Sequence, residues 1–233
     1  VVSIPITLRI FPHKTNNLFL NWAPETSIKA ETFSPDIKVQ KGKTGLKKLL
    51  LYVSNSGEDY LSVIDRGSHQ VIDAITVGSA PKGMTLSKDG NYLYVANYLS
   101  NSISIIETMT NRLMDTIALN IGFGPNELTI PPFSRILYVT ATDSNAVIAI
   151  DTLTKSILKK IEVGQRPIGI ASSADGQYVY VANTYSNNIS VIETYNNKVV
   201  NTIGVGGEPK YISIYQRYIV VSNSQSNNLM FID

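Results

Sequence analysis

The side chains that could carry nucleophilic or metal chemistry are few and far apart in this sequence. The 233-residue chain has no cysteine, which excludes a disulfide framework, a thiolate zinc site and a cysteine nucleophile. Its two histidines, His13 and His69, are distant, and neither has a companion at a metal-ligand spacing. Asp143-Ser144-Asn145 begins like a calcium loop but lacks its glycine and distal glutamate, so we interpret it as a turn. The sequence predicts no metal, no cofactor and no catalytic residues.

Four acidic residues recur at nearly equal spacing and could be taken for a carboxylate cluster. They are Asp65, Glu107, Asp151 and Glu193. Each ends a short apolar segment and is followed by a turn, and each belongs to a different copy of a repeat. We therefore expect them to be separated in space and to bind turn amides rather than perform acid–base chemistry.

The elements that position these side chains come from a five-residue motif, which recurs at spacings of 42, 44, 42 and 40 residues. Its copies have the form Leu-Tyr-Val-x-Asn or a close variant, and they begin at Leu51, Leu93, Leu137, Val179 and Ile219. After each copy come a polar turn, a second apolar segment, another turn and a strand closing on Val-Gly or an equivalent. A proline three residues later opens a further strand. Each unit therefore holds four strands of five or six residues.

Turn residues between the strands indicate how the units are joined. Asp89-Gly90 and Asp175-Gly176 are typical of tight hairpin turns. The link between units reads Gly-x-x-Pro, and we expect its glycines, such as Gly78 and Gly164, to adopt positive φ and let the chain pivot.

Strands with apolar residues on both faces, as in Tyr92-Leu93-Tyr94-Val95, indicate sheets that are covered on both sides. Small four-stranded sheets packed face to face in a ring satisfy this requirement. The sequence thus predicts an all-β fold, a β-propeller of five recognisable four-stranded blades. The residues expected to be buried between blades are Tyr94, Val95, Tyr138, Val139, Tyr180 and Val181.

The Gly-x-x-Pro-x link also predicts a candidate ligand site. In a propeller, the loop that leads into each inner strand surrounds one mouth of the central channel. This geometry assigns to the mouth Lys82, Asn126, Arg166, Glu208 and Lys210. Three cations on one rim could receive an anionic or polar small ligand, and the alternative is ordinary loop charge around a water-filled channel.

The repeated Leu-Tyr-Val-x-Asn strand, the Ile-Asp end of the next strand and the Gly-x-x-Pro-x-x-Ile link resemble the YVTN family of β-propellers. That family is related to bacterial YncE-like proteins and archaeal surface-layer propellers. The resemblance spans 51–233. The third copy departs from the pattern with Ala141 in place of Asn, Ser134-Arg135 in place of Asp-Gly and the irregular link 122–125, and the last copy has Val220 in place of Tyr.

The chain divides into an N-terminal strand-rich segment, residues 1–45, and the propeller repeats, residues 46–233. Three segments of residues 1–45 have residue patterns that predict strands: Ile4 to Phe11, Leu18 to Trp22 and Ile28 to Phe33. They could close the five-bladed ring, build a degenerate sixth blade or form an arm that pairs with a neighbouring subunit. We expect Ile4 to Phe11 to pair with a sheet edge.

Composition disfavours some classes of function but does not identify a partner. Charged residues make up 16% of the chain, against roughly 25% in an average domain, and the net charge is +2. Such a balance does not favour nucleic-acid binding, and no apolar run is long enough to span a membrane. The main expectation is a non-enzymatic extracellular, cell-surface or periplasmic propeller that binds a protein partner or self-assembles as a scaffold. The alternatives are a small-molecule hydrolase of the lactonase-like propeller type and a propeller that binds single-stranded nucleic acid.

Overall fold

The computed structural model describes residues 18–19, 50–215 and 217–233. In these ranges every regular element is a β-strand, apart from one short 3-10 helix at Thr142–Ser144. The segments Ile4 to Phe11 and Ile28 to Phe33 lie outside the described residues, and so does most of the proposed N-terminal unit.

Four four-stranded sheets and one three-stranded sheet follow one another along the chain. The first contains β1 (Leu18–Phe19), β2 (Leu50–Asn55), β3 (Tyr60–Asp65) and β4 (Gln70–Thr76). The second contains β5 (Pro81–Leu86), β6 (Tyr92–Asn97), β7 (Ser102–Glu107) and β8 (Arg112–Ala118). The third contains β9 (Pro125–Thr129), β10 (Ile136–Ala141), β11 (Ala146–Asp151) and β12 (Ile157–Glu162).

The fourth sheet contains β13 (Pro167–Ser172), β14 (Tyr178–Asn183), β15 (Asn188–Glu193) and β16 (Lys198–Gly204). The fifth contains β17 (Pro209–Tyr215), β18 (Tyr218–Asn223) and β19 (Asn228–Ile232). Within each sheet, neighbouring strands pair antiparallel, except that β1 pairs parallel with β2. The inner strands β5, β9, β13 and β17 contact one another in turn, which is the arrangement of blades around an axis. The predicted β-propeller is confirmed.

The core lies between neighbouring blades. Val95, Tyr138, Val139 and Val181 are fully buried, and Tyr94 is nearly so, as the sequence predicts. Tyr180 is only half-buried. Clusters of buried residues join the first blade to the second, the second to the third, the third to the fourth and the fourth to the fifth. Each sheet is therefore covered on both faces where it has two neighbours.

The conformation predicted for the link glycines is wrong. Gly78 and Gly164 do not have positive φ, and the left-handed residue of each link is the one before proline, as at Ala80 (φ 54°) and Arg166 (φ 52°). These glycines are needed for space. A Cβ built on Gly164 would lie 2.6 Å from the Asn183 Cγ atom.

Two of the four acids at the strand ends, Asp65 and Asp151, bind turn amides as expected. The Asp65 Oδ1 atom accepts hydrogen bonds from the Gly67 and Ser68 amides, at 2.9 and 2.8 Å. Asp151 binds the amides of its own turn in the same way and also pairs with Arg135 at 2.9 Å. The backbone amides lower the pKa of Asp151.

Candidate functional site

The Gly-x-x-Pro links lie at the same end of the blades as the turns that follow the Leu-Tyr-Val-x-Asn motif. The Thr184 amide donates to the Arg166 carbonyl at 3.1 Å, and the Arg166 amide donates to Asn145 Oδ1 of the preceding blade at 2.9 Å. Gly124 and Glu208 are held in the same way by Asn101 and Asn187. The backbone around the mouth is therefore fixed on both sides of each left-handed residue.

The end of the blades that carries the links is called the mouth. At this end, in most blades, a side-chain hydroxyl donates a hydrogen bond to the next blade. The residue after the Asn position donates to the carbonyl of the proline that opens the next blade, at 2.7–3.0 Å: Ser56 to Pro81, Thr142 to Pro167 and Thr184 to Pro209. The second blade has Tyr98 at this position. Its hydroxyl binds Asp143 of the third blade instead of a proline carbonyl, so the repeated contact is absent at this boundary.

Tyr98 forms a hydrogen-bonded pair with Asp143 across the boundary between the second and third blades. The Tyr98 hydroxyl donates to Asp143 Oδ1 at 2.8 Å. Gly124 makes room for the pair, because a Cβ built on it would lie 2.5 Å from Asp143 Oδ2 and 3.1 Å from Tyr98 Cε2. Gly124 also has φ +67°, which favours glycine. Tyr98, Asp143 and Gly124 thus fit one another.

Electrostatics keep the proton on Tyr98. Burial raises the pKa of the Tyr98 hydroxyl, and the hydrogen bond to Asp143 and the negative charge of that carboxylate raise it further. The positive charge of Arg166 acts in the opposite direction. Tyr98 is therefore a hydrogen-bond donor at neutral pH.

Two cations flank the pair, each close to an aromatic ring. The Lys82 Nζ atom lies 5.6 Å from the centre of the Tyr98 ring, and the Arg166 guanidinium carbon lies 5.1 Å from the centre of the Tyr185 ring. Both contacts are within the range of a cation–π interaction. The mouth therefore offers a carboxylate, a phenol and two cations in one cluster.

The other three predicted site residues lie in the links of the third and fifth blades and are not joined to this cluster. Asn126, Glu208 and Lys210 are half-buried next to the prolines that open their blades. The Glu208 carboxylate accepts a hydrogen bond from Ser224 at 3.2 Å. Within the described ranges, no hydrogen bond or ion pair links Glu208 or Lys210 to Tyr98, Asp143 or Arg166.

Sequence reasoning missed Tyr98, Asp143 and a buried carboxylate, Glu127. Glu127 is only 2% exposed and occupies the inner-strand position that is glycine in the second and fourth blades, Gly83 and Gly169. Its Oε2 atom lies 2.5 Å from where a Cβ on Gly83 would be. Comparing the repeats position by position, rather than by their shared residues, would have found Tyr98, which replaces a hydroxyl residue, and Glu127, which replaces a glycine.

Among the described residues, no group of three or more His, Asp or Glu side chains is arranged to hold a metal ion. In the same part of the chain, no helix is long and apolar enough to cross a membrane.

Comparison with known proteins gives a partial family match. Residues 23–120 match the family model described as "Lactonase, 7-bladed beta-propeller". This match covers less than half of the chain. No curated protein matches the sequence.

Several solved structures share the fold. A putative 6-phosphogluconolactonase from Bacteroides uniformis is 17% identical, with a TM-score of 0.70 over 80% of this chain and 64% of that one. A functionally unknown protein from Desulfotomaculum acetoxidans is 18% identical, with a TM-score of 0.63 over 78% of this chain and 65% of that one. The Cps50 (Swd1) beta-propeller domain of Myceliophteria thermophila is 11% identical, with a TM-score of 0.63 over 74% of this chain and 59% of that one. This chain thus spans 59 to 65% of the length of these structures.

These matches correct one expectation from the sequence. A non-enzymatic protein was expected because no catalytic motif was visible. The partial match to the lactonase family model contradicts that expectation. The scaffold role has no support among the matches, and the lactonase-like alternative is the reading that they favour.

Proposed function

We propose that this chain belongs to a hydrolase that opens a small cyclic ester at the channel mouth. The observation that carries the proposal is the Tyr98–Asp143 pair between two cations, at the point where the repeat is broken. The partial match to a lactonase family model supports the reaction class. The finer assignment to YVTN-type propellers rests on the repeated Leu-Tyr-Val-x-Asn motif and is part of the same proposal.

The chemistry assigns each residue of the cluster a role. Asp143 acts as the general base and takes a proton from a water molecule as the water oxygen bonds to the ester carbonyl carbon. Tyr98 orients the carboxylate through the hydrogen bond that its hydroxyl donates to Asp143 Oδ1. Arg166 or Lys82 stabilises the negative charge that develops on the carbonyl oxygen. The ring C–O bond then breaks, and the proton held by Asp143 passes to the departing alkoxide oxygen.

A rigid mouth suits such a reaction because the catalytic groups need fixed positions. The amide and carbonyl groups of the Arg166 and Gly124 backbones are bonded to neighbouring turns. Removing an oriented general base typically lowers the rate 10²–10⁴-fold. The cations add attraction for a substrate that carries an anionic group.

Turnover of a panel of sugar lactones, followed by acid release at constant pH, tests the proposal. Asp143→Asn is expected to lower kcat by roughly 10²–10⁴-fold. Tyr98→Phe, which keeps the ring but loses the hydrogen bond, is expected to lower kcat by a smaller factor. Arg166→Gln is expected to raise KM for anionic substrates more than for neutral ones.

Asp175→Asn is the matched control. Asp175 lies in a turn at the opposite end of the blade and accepts hydrogen bonds from Ser173 and the Gln177 amide. Equal activity of the Asp143→Asn and Asp175→Asn variants would contradict the assigned roles. A panel without any hydrolysed lactone would contradict the reaction class.

A further inference from the structure

Two backbone hydrogen bonds join each link to the turn that follows the Leu-Tyr-Val-x-Asn motif, and we call them the link clamp. In the fourth blade, the Thr184 amide donates to the Arg166 carbonyl at 3.1 Å, and the Tyr185 amide donates to the Gln165 carbonyl at 3.2 Å. The second, third and fifth blades have the same two bonds, at 2.9–3.2 Å. The link clamp therefore fixes the backbone of the link against the turn in the same way in these blades.

The side chains on this shared backbone differ from blade to blade. One of them belongs to the link residue before proline, and the other belongs to the second residue of the turn. The pairs are Ala80 with Leu99, Gly124 with Asp143, Arg166 with Tyr185, and Glu208 with Gln225. The pair of the third blade contains Asp143, the proposed general base, and the next pair along the ring is Arg166 with Tyr185.

Arg166 and Tyr185 are in contact through their side chains. The Arg166 guanidinium carbon lies over the Tyr185 ring, 5.1 Å from its centre, and both residues are exposed. Among the residues that the structure describes, none forms a hydrogen bond or an ion pair with the Arg166 guanidinium. Its N–H groups are therefore available as donors to a ligand, while the ring restricts the orientation of the guanidinium plane.

The charge of Arg166 reaches the Tyr98–Asp143 pair. It opposes the increase in the pKa of the Tyr98 hydroxyl, which places the guanidinium near that group. The Arg166 amide is also bonded to the Asn145 Oδ1 atom, two residues after Asp143. An exposed arginine has many rotamers, so without a restraint its guanidinium would point toward the pair for only part of the time.

We propose that Tyr185 is a positioning residue that holds the Arg166 guanidinium at the mouth, where it binds anionic oxygens of the substrate. That the substrate is a cyclic ester rests on the proposed function, whereas Tyr185 acts on the arginine. Without the ring the guanidinium samples other orientations, and the apparent affinity for an anion falls with the fraction of time spent in the binding orientation. The loss expected for an exposed cation–π contact is roughly two- to fivefold.

Titration of the full chain with inorganic phosphate tests the positioning without requiring turnover. The Arg166 Nε–H signal in the NMR spectrum, assigned by its loss in Arg166→Gln, reports both the ring contact and the bound anion. Tyr185→Ser is expected to move this signal downfield, because the ring current is lost, and to raise the Kd for phosphate roughly two- to fivefold. Tyr185→Phe keeps the ring and is expected to retain both properties. Gln225→Ser, at the same turn position in the fifth blade, is the matched control and should alter neither.

The lactone panel adds a kinetic test. Tyr185→Ser is expected to raise KM for anionic lactones more than for neutral ones, and to have no further effect on that ratio in the Arg166→Gln background. The proposal is overturned if phosphate does not shift the Arg166 signal of the unaltered chain, if Tyr185→Phe behaves like Tyr185→Ser, or if Tyr185→Ser raises KM equally for both kinds of lactone. If no lactone is hydrolysed, the reaction class fails, and the phosphate titration still decides the role of Tyr185.

Discussion

Replacing Gly164 with alanine tests how the blade links are built. The new Cβ would lie 2.6 Å from Asn183 Cγ and 2.7 Å from Asn183 Cβ, far inside ordinary van der Waals contact. Asn183 cannot turn away without loss, because its Nδ2 atom donates to Asn188 Oδ1 at 2.8 Å and to Ser190 Oγ at 2.9 Å. Overpacking of this kind typically costs about 1–3 kcal/mol in the free energy of unfolding.

A double-mutant cycle tests whether the contact with Asn183 causes the expected loss of stability in Gly164→Ala. Asn183→Ala alone loses two hydrogen bonds, each worth about 1 kcal/mol. In that background the new Cβ no longer meets the Cγ and Nδ2 atoms of Asn183, while the Cβ of residue 183, 2.7 Å away, is still present. We therefore expect the cost of Gly164→Ala to fall only in part, with a coupling energy of about 1 kcal/mol.

Urea denaturation followed by circular dichroism measures the four free energies of unfolding. Gly204→Ala is the matched control, since nothing lies within 4 Å of a Cβ built there. If Gly164→Ala and Gly204→Ala cost the same, or if the cost of Gly164→Ala is unchanged by Asn183→Ala, the packing explanation is refuted.

Two further predictions concern the blade core. Val95→Ala removes a fully buried side chain between blades and is expected to cost about 1–3 kcal/mol, measured by urea denaturation, whereas the exposed Val71→Ala should cost far less. Burial raises the pKa of Tyr52 and of Tyr138 to about 12, so the folded state holds protons that the unfolded chain releases near pH 10. Stability should therefore be full below pH 10 and fall by about 2–3 kcal/mol per tyrosine between pH 10 and 12, and a flat stability profile over that range would contradict it.

The fold was predictable because each copy of the repeat has the same pattern of residues that must be buried. Each Leu-Tyr-Val-x-Asn copy places apolar residues on both faces of a strand, and the structure buries Val95, Val139 and Val181 between blades. The glycine prediction failed for a physical reason. A sequence shows that a side chain is not tolerated at Gly164 but does not show whether the backbone or a neighbour forbids it, and here the neighbour is Asn183.

The mouth was predicted only in part for a related reason. Lys82 and Arg166 were assigned to the mouth because both belong to the Gly-x-x-Pro-x link, and the link has the same location in every blade. Tyr98 and Asp143 belong to different repeats and are 45 residues apart, and their hydrogen bond depends on how far one side chain reaches across a blade boundary. Such a contact depends on side-chain length and on the space left by Gly124, and spacing alone does not encode it.

Residues that differ between the copies are therefore the most informative about function. A residue type that recurs at one position in most blades is explained by blade geometry, as the hydroxyls of Ser56, Thr142 and Thr184 are. Where a single copy departs, blade geometry offers no reason, and a departure that requires a second one must be explained jointly. Tyr98 needs the space left by Gly124, so the Tyr98–Asp143 hydrogen bond explains these residues jointly.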